Sequence, residues 1–184
     1  MREKYETKHI FMAIGICFIV VSPIMIIFIP LMLAEFFHYT PKVWHVFVPM
    51  ENYLTCAIGL MFFIVAFMLL FLLEIHKKSI ILCLVCLGLG IASIYIASQS
   101  YQRLADDHLS YQEIFTTQRH DYPWEEVKEV TQIIERGGNS KYTFVFHDGN
   151  DLTIDENGHF IEIKGKLLNK LQDTGIEFVQ IRLE

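Results

Sequence analysis

No cysteine follows Cys86, and all four that exist (Cys17, Cys56, Cys83, Cys86) lie inside long apolar runs. No disulfide framework is therefore readable, and the cysteines carry no information about redox compartment. Those runs also lack charge: no Asp, Glu, Lys, Arg or His lies between Ile10 and Ala34, Tyr53 and Leu73, or Ile80 and Ala97. Ionisable groups inside a bilayer mark ion and substrate paths, so their absence argues against a pump, channel or transporter. The chain holds no G-x-S-x-G, H-E-x-x-H, P-loop or G-x-G-x-x-G, and so no motif for a nucleophile elbow, a zinc hydrolase or a phosphate cradle. Paired acid/base groups are not visible either, which leaves the reading non-enzymatic. His108, His120, His147 and His159 are scattered at no ligand spacing. No cofactor or metal is expected.

What is present is unevenly spread. Of 184 residues, 53% are hydrophobic, concentrated before residue 100. Residues 1–100 hold six Lys/Arg against five Asp/Glu; residues 101–184 hold nine against sixteen. The division predicts two parts: a membrane region over 1–100 and an acidic folded domain over 101–184, long enough for one small core. The acidic balance argues against nucleic acid as a partner.

Three apolar runs each approach the roughly 20 residues that a helix needs to cross a bilayer. The expected spans are about 10–34, 52–73 and 79–98. The first follows a polar, partly basic start, as a signal peptide does. Its length exceeds a signal h-region of 7–15 residues and no A-x-A site follows, so it is expected to remain as a helix. Pro23 and Pro30 predict a bend or an early end near Pro30; the sharper alternative is an unwound binding point. The five-residue connector Glu74-Ile75-His76-Lys77-Lys78 forces the second and third helices to be antiparallel neighbours. Gly88-x3-Ala92 and Ser93-x3-Ala97 are small-residue pairs suited to close helix packing, within the bundle by default and between protomers as the alternative. Cys83-x-x-Cys86 is expected to pack as two small apolar residues. The first loop, 35–51, is rich in Phe, Tyr, Trp and His; it is expected as an aromatic belt at the membrane surface, including a short surface helix as one form. Glu35, His38 and His45 match no metal-site spacing.

Beyond Gln99 the pattern becomes that of a soluble α+β domain. Asp106-Asp107 reads as a polar break. Strands are expected over 108–116, 118–124 and Lys141–Phe146, where Tyr142, Phe144 and Phe146 alternate with polar or smaller residues. Residues 125–136 are ambiguous between strand and helix, and 137–140 form a turn. His147-Asp148-Gly149-Asn150 is a hairpin turn leading into the strand Asp151–Asp155. Phe160, Ile163, Leu167 and Leu171 recur at helical spacing, and a last strand covers Phe178–Leu183. Asp151, Thr153, Asp155 and Glu162 imitate a calcium loop, but Glu156 stands where that loop needs Gly, so the strand reading is preferred. Trp124 is expected as a core anchor and is also a candidate partner contact. Lys164, Lys166 and Lys170 are candidate partner contacts as a basic cluster on the last helix; the preferred reading is a solvated face, since polybasic lipid sites use about 4–8 clustered charges.

Two segments carry a resemblance: Tyr122-Pro123-Trp124-Glu125-Glu126-Val127, and the strand, Asp-Gly turn, strand over Tyr142–Ile154. With the amphipathic helix that follows, this order resembles the bacterial pleckstrin-homology-like (PH-like) domain that occurs fused to membrane helices. The resemblance implies a curved antiparallel sheet or barrel closed by one C-terminal helix, used for binding or assembly rather than catalysis. It names no ligand. The tail Phe178–Leu183 departs from the pattern.

Lys and Arg near the span ends favour a cytoplasmic N-terminus: Arg2, Lys4, Lys8, Lys77 and Lys78 stand against Lys42 and Arg103. Three spans then place the C-terminal domain on the outer side of a cell membrane. The sequence is thus read as a multi-pass membrane protein of bacterial type. Its partners are the lipid bilayer and either a protein or a second copy of itself, in an accessory, regulatory or immunity role. The alternative is a small-molecule- or ion-handling protein using the Pro-kinked first helix and the aromatic loop.

Overall fold

The computed structural model describes residues 7–73, 75–134 and 140–183. Residues 137–139 of the turn expected at 137–140, and the start of the 74–78 connector, lie outside the described residues. The chain divides into two units: Met1–Phe37 with Val48–Ser100, and His38–Phe47 with Tyr101–Glu184. The second is discontinuous in sequence, because it takes a piece of the first loop.

The first unit holds three helices: α1 (Thr7–His38), α2 (Met50–Leu72) and α3 (Lys77–Gln99). Each is long and apolar enough to cross a membrane. At about 1.5 Å per residue, the 23 residues of α2 or α3 span a little over the roughly 30 Å of a hydrocarbon core. α1 runs helically through both Pro23 and Pro30; neither proline ends it. Lys77 and Lys78 fall in the first turn of α3, not in a free connector.

α2 and α3 meet along a seam with heptad spacing. Asn52, Cys56, Gly59, Ala66 and Leu70 are buried on α2, and Ser79, Cys83, Cys86, Gly90 and Ala97 on α3. Steps of three and four residues keep one stripe facing the partner helix. At the crossing the backbones nearly touch: a Cβ on Gly59 would sit 3.0 Å from the Gly90 carbonyl oxygen, and one on Gly90 2.9 Å from that of Gly59. Gly88 and Ala92, expected to pack, are exposed instead, and a Cβ on Gly88 would meet nothing. They lie off the seam because Gly90, two residues from Gly88, occupies it. Cys83 and Cys86 are on the seam as small packing groups. Asn52 Nδ2 donates to the Ser100 carbonyl at 2.7 Å, tying the start of α2 to the end of α3. α1 touches this pair through Gly15, whose added Cβ would lie 3.2 Å from Met68 Sδ, and through Phe18 stacked on Phe63 and Phe67.

The second unit contains two four-stranded sheets. Sheet one runs β1 (Val43–Phe47), β2 (Tyr101–Ala105), β3 (His108–Gln112), β4 (Arg119–Pro123), all antiparallel. Sheet two runs β7 (Asp151–Asp155), β6 (Lys141–Phe146), β5 (Val127–Ile134), β8 (Glu177–Arg182). There β8 lies parallel to β5 and the other pairs are antiparallel. The ambiguous 125–136 segment resolves as a 3-10 turn, Trp124–Glu126, followed by β5. Asp106 and Asp107 form the tight turn between β2 and β3. α4 (Gly158–Thr174) begins where Asn157 Oδ1 accepts from Phe160 N and ends at left-handed Gly175.

Two corrections concern the first loop and the start of the domain. The loop expected as an interfacial belt or short helix supplies strand β1, and Tyr101–Ala105, not expected as a strand, pairs with it as β2. The alternation of Val43, Trp44, His45, Val46 and Phe47 suits a strand once an edge is available to hydrogen-bond it. One core joins both sheets and α4: Phe47, Leu104, Leu109, Trp124, Val130, Tyr142, Phe144, Ile154, Phe160 and Leu167 are all buried in it.

Candidate functional site

The residues marked for partner contact separate in space. Trp124 is 1% exposed and its indole N–H donates to the Ala105 carbonyl at 3.0 Å. It stands beside Trp44, with ring centroids 5.6 Å apart. Trp124 is a core anchor, and the reading as a surface contact is withdrawn because no face of the ring is available. Lys164 bonds Glu156 at 2.7 Å and lies over the Tyr142 ring. The Glu156 bond raises the Lys164 ammonium above its ordinary range. For Glu156, burial pushes the carboxyl up, but its bonds, that from Lys164 foremost, outweigh this and hold it low. Lys166 is exposed. At 100° per residue it lies nearly opposite Lys164 and on the side of Lys170, so the three lysines form no single patch.

Asp151, Thr153 and Asp155 occupy the solvent-facing row of β7. Alternate residues on a strand are spread about 6.8 Å apart along a line and cannot wrap an ion. Among the described residues, no group of three or more His, Cys, Asp or Glu is arranged to hold a metal.

Two polar constellations were not read from the sequence. The first sits on sheet one. Arg103, 6% exposed, donates from Nε to Ser110 Oγ at 2.8 Å and from its terminal nitrogen to His108 Nε2. A guanidinium cannot accept, so His108 Nε2 must. The imidazole proton then sits on Nδ1, facing Asp107 Oδ1. The Asp107 carboxyl is destabilised by desolvation, but its bonds to His108 and Lys42 bring it below the usual range. Asp121 closes the set, 3.9 Å from Arg103 and 3.5 Å from Arg119. Ser110 and His108 both face Arg103 and share no bond with each other, so no activated nucleophile arises.

The second constellation joins the two sheets at one corner. Tyr122 stacks on Phe146 at 3.8 Å between centroids, and Tyr111 on His120 at 4.8 Å. The Tyr122 hydroxyl donates to Asp148 Oδ2 at 2.6 Å and accepts from Asn150 Nδ2 at 2.7 Å. Burial, then the Asp148 bond, raises the Tyr122 hydroxyl; the Tyr122 and Asn150 bonds lower the Asp148 carboxyl. Asp148 and Asn150 belong to the Asp-Gly hairpin turn, with Gly149 at φ 92°. The turn was legible; its reach across to β4 was not, since nothing in the chain between 122 and 148 signals it.

No family model matches the chain, and no curated protein matches its sequence.

Proposed function

We propose that this is a non-enzymatic membrane protein whose second unit is a PH-like module that binds a protein partner at the membrane. The observation that carries the reading is the discontinuity of that unit. β1 enters from the loop between α1 and α2 and pairs with β2, which begins two residues after α3 ends. The chain therefore passes three times between the helical unit and this domain. Such a domain suits holding a partner at the membrane surface. Two sheets sharing one core with a C-terminal helix support the PH-like reading; the parallel β8 departs from it. The polar constellations tie strands and turns together, which supports binding over chemistry.

The pairing of β1 with β2 requires residues 39–49 and 101–183 to share one side of the membrane, and the Lys/Arg count places that side outside. The small-molecule or ion-handling alternative loses support, because Trp44 and Phe47 of the aromatic loop pack into the core and α1 is not unwound. The test is affinity isolation of the full chain from mild detergent with quantitation of co-purifying protein. A stoichiometric partner is expected; the chain recovered alone under crosslinking conditions would overturn the reading.

A further inference from the structure

The outer face of sheet two is laid out as a grid by its registers. One row crosses the strands as Asp151, Val145, Glu129, Glu177. The middle row is Thr153, Thr143, Thr131, Val179, and the third is Asp155, Lys141, Ile133, Ile181. Leu183 extends the apolar corner beyond Ile181; these two are 53% and 44% exposed. Among the described residues β8 is also an edge strand of its sheet.

The first row is an unusual arrangement for an isolated domain. Glu129 and Glu177 are direct neighbours on paired strands, and Asp151 follows one strand beyond Val145. Like charges side by side on a ladder are destabilising. Among the described residues, none of Glu129, Glu177, Asp151 and Asp155 has a cationic group within ion-pair distance. Glu129 takes only the Thr131 hydroxyl, at 2.9 Å. The face therefore joins uncompensated acid at one end to exposed Ile and Leu at the other.

We propose that this face docks a cationic, amphipathic segment of a partner protein, with basic side chains over the Asp151–Glu129–Glu177 row and apolar ones on Val179, Ile181 and Leu183. Charge selects the occupant. A second copy presenting the same face would set acid against acid, and an anionic lipid surface would be repelled. Apolar anchors at one end of the face and complementary charge at the other supply affinity and orientation respectively. The inference rests on the protein-binding reading above and names the class of partner.

Two measurements on the full chain in mild detergent test it. In the first, a fluorescent Lys/Leu amphipathic peptide is titrated against a Glu/Leu peptide of equal length. Binding of the Lys/Leu peptide alone is expected, about tenfold weaker in Asp151→Asn/Glu129→Gln/Glu177→Gln, weaker at high salt, and unchanged in Glu162→Gln/Asp173→Asn on α4. Equal binding of both peptides, or indifference to the triple neutralisation, overturns the proposal. In the second, p-benzoylphenylalanine replaces Ile181, Ile161 or Phe115, and adducts formed in native membranes are sequenced. An adduct at position 181 to a basic segment of another protein is expected. An adduct at 161 or 115 but not 181, or at 181 to lipid or to this chain itself, sinks this inference and leaves protein binding elsewhere intact in the first case. No protein adduct at any of the three sinks both.

Discussion

Trp124 concentrates several constraints in one side chain. It follows directly on β4, starts the 3-10 turn into the second sheet, fills the shared core and satisfies the Ala105 carbonyl. Trp124→Phe keeps most of the apolar volume but orphans that carbonyl, and is expected to cost about 1–3 kcal/mol. Trp124→Ala adds a cavity and is expected to cost about 3–5 kcal/mol. Denaturant unfolding followed by far-UV circular dichroism reads both; a Trp124→Phe variant as stable as the native chain would mean that the hydrogen bond contributes nothing. Asp148 makes a pH prediction. Its carboxyl is lowered by the Tyr122 bond, so the stability it supplies is present above the ordinary carboxylate range and is lost as pH falls through its folded value. Asp148→Asn is expected to remove part of the acid-side loss seen in melting curves from pH 6 down to 2. The stability of Tyr122 runs the other way, present below the ordinary tyrosine range and lost as pH rises. Both residues were visible in the sequence as a turn Asp and a strand Tyr; their bond was not, because it joins groups 26 positions apart.

At the level of elements, the helix pair is governed by its glycines. Gly90→Val must push β-branched bulk against the Gly59 carbonyl and Phe63 ring. It is expected to weaken the α2–α3 contact by about 1–3 kcal/mol. Gly88→Ala meets open space and is expected to be neutral or slightly stabilising through helix propensity. Thermal unfolding in detergent micelles, with a fluorophore pair on α2 and α3, separates the two; comparable destabilisation by both would refute the assigned seam. The apolar length of these helices was readable directly, since a bilayer demands it. Which of Gly88 and Gly90 faces the neighbour was not, because a uniformly apolar helix offers no polar side to set its rotation.

β1 makes the corresponding prediction for the sheets. A fragment of 101–184 lacks the strand that covers the edge of β2 and the Phe47 side chain that packs in the core. It is expected to show poor amide dispersion in NMR and to gain order when a peptide of residues 38–48 is added. A well-dispersed spectrum without the peptide would show β1 to be dispensable. Composition concealed this strand. Its Trp, His and Phe suit a membrane interface as well as an edge strand, and β2 lies 54 residues beyond its end.

For the whole molecule, the β1–β2 ladder turns topology into a testable constraint. With the native cysteines replaced, Tyr39→Cys and Glu113→Cys should be labelled from the same side of the membrane and Ile75→Cys from the other. Positions 39 and 113 on opposite sides would contradict the ladder; labelling of 113 only after permeabilisation would keep the ladder but reverse the outside placement.

The sequence by itself determined three apolar helices, the antiparallel relation of α2 and α3, an α+β C-terminal region, the Asp-Gly hairpin and the helix with its Phe160–Leu171 stripe. Each follows from local periodicity, from length against a bilayer, or from turn chemistry, all of which act within a few residues. Only the tertiary structure decided that β1 belongs to the domain, that the Trp124 indole bonds Ala105, that Lys164 pairs with Glu156, and that three acids line one row of a sheet. Those are outcomes of pairing and register between distant segments, where hydrogen-bonding partners and shared faces are chosen by the folded chain as a whole.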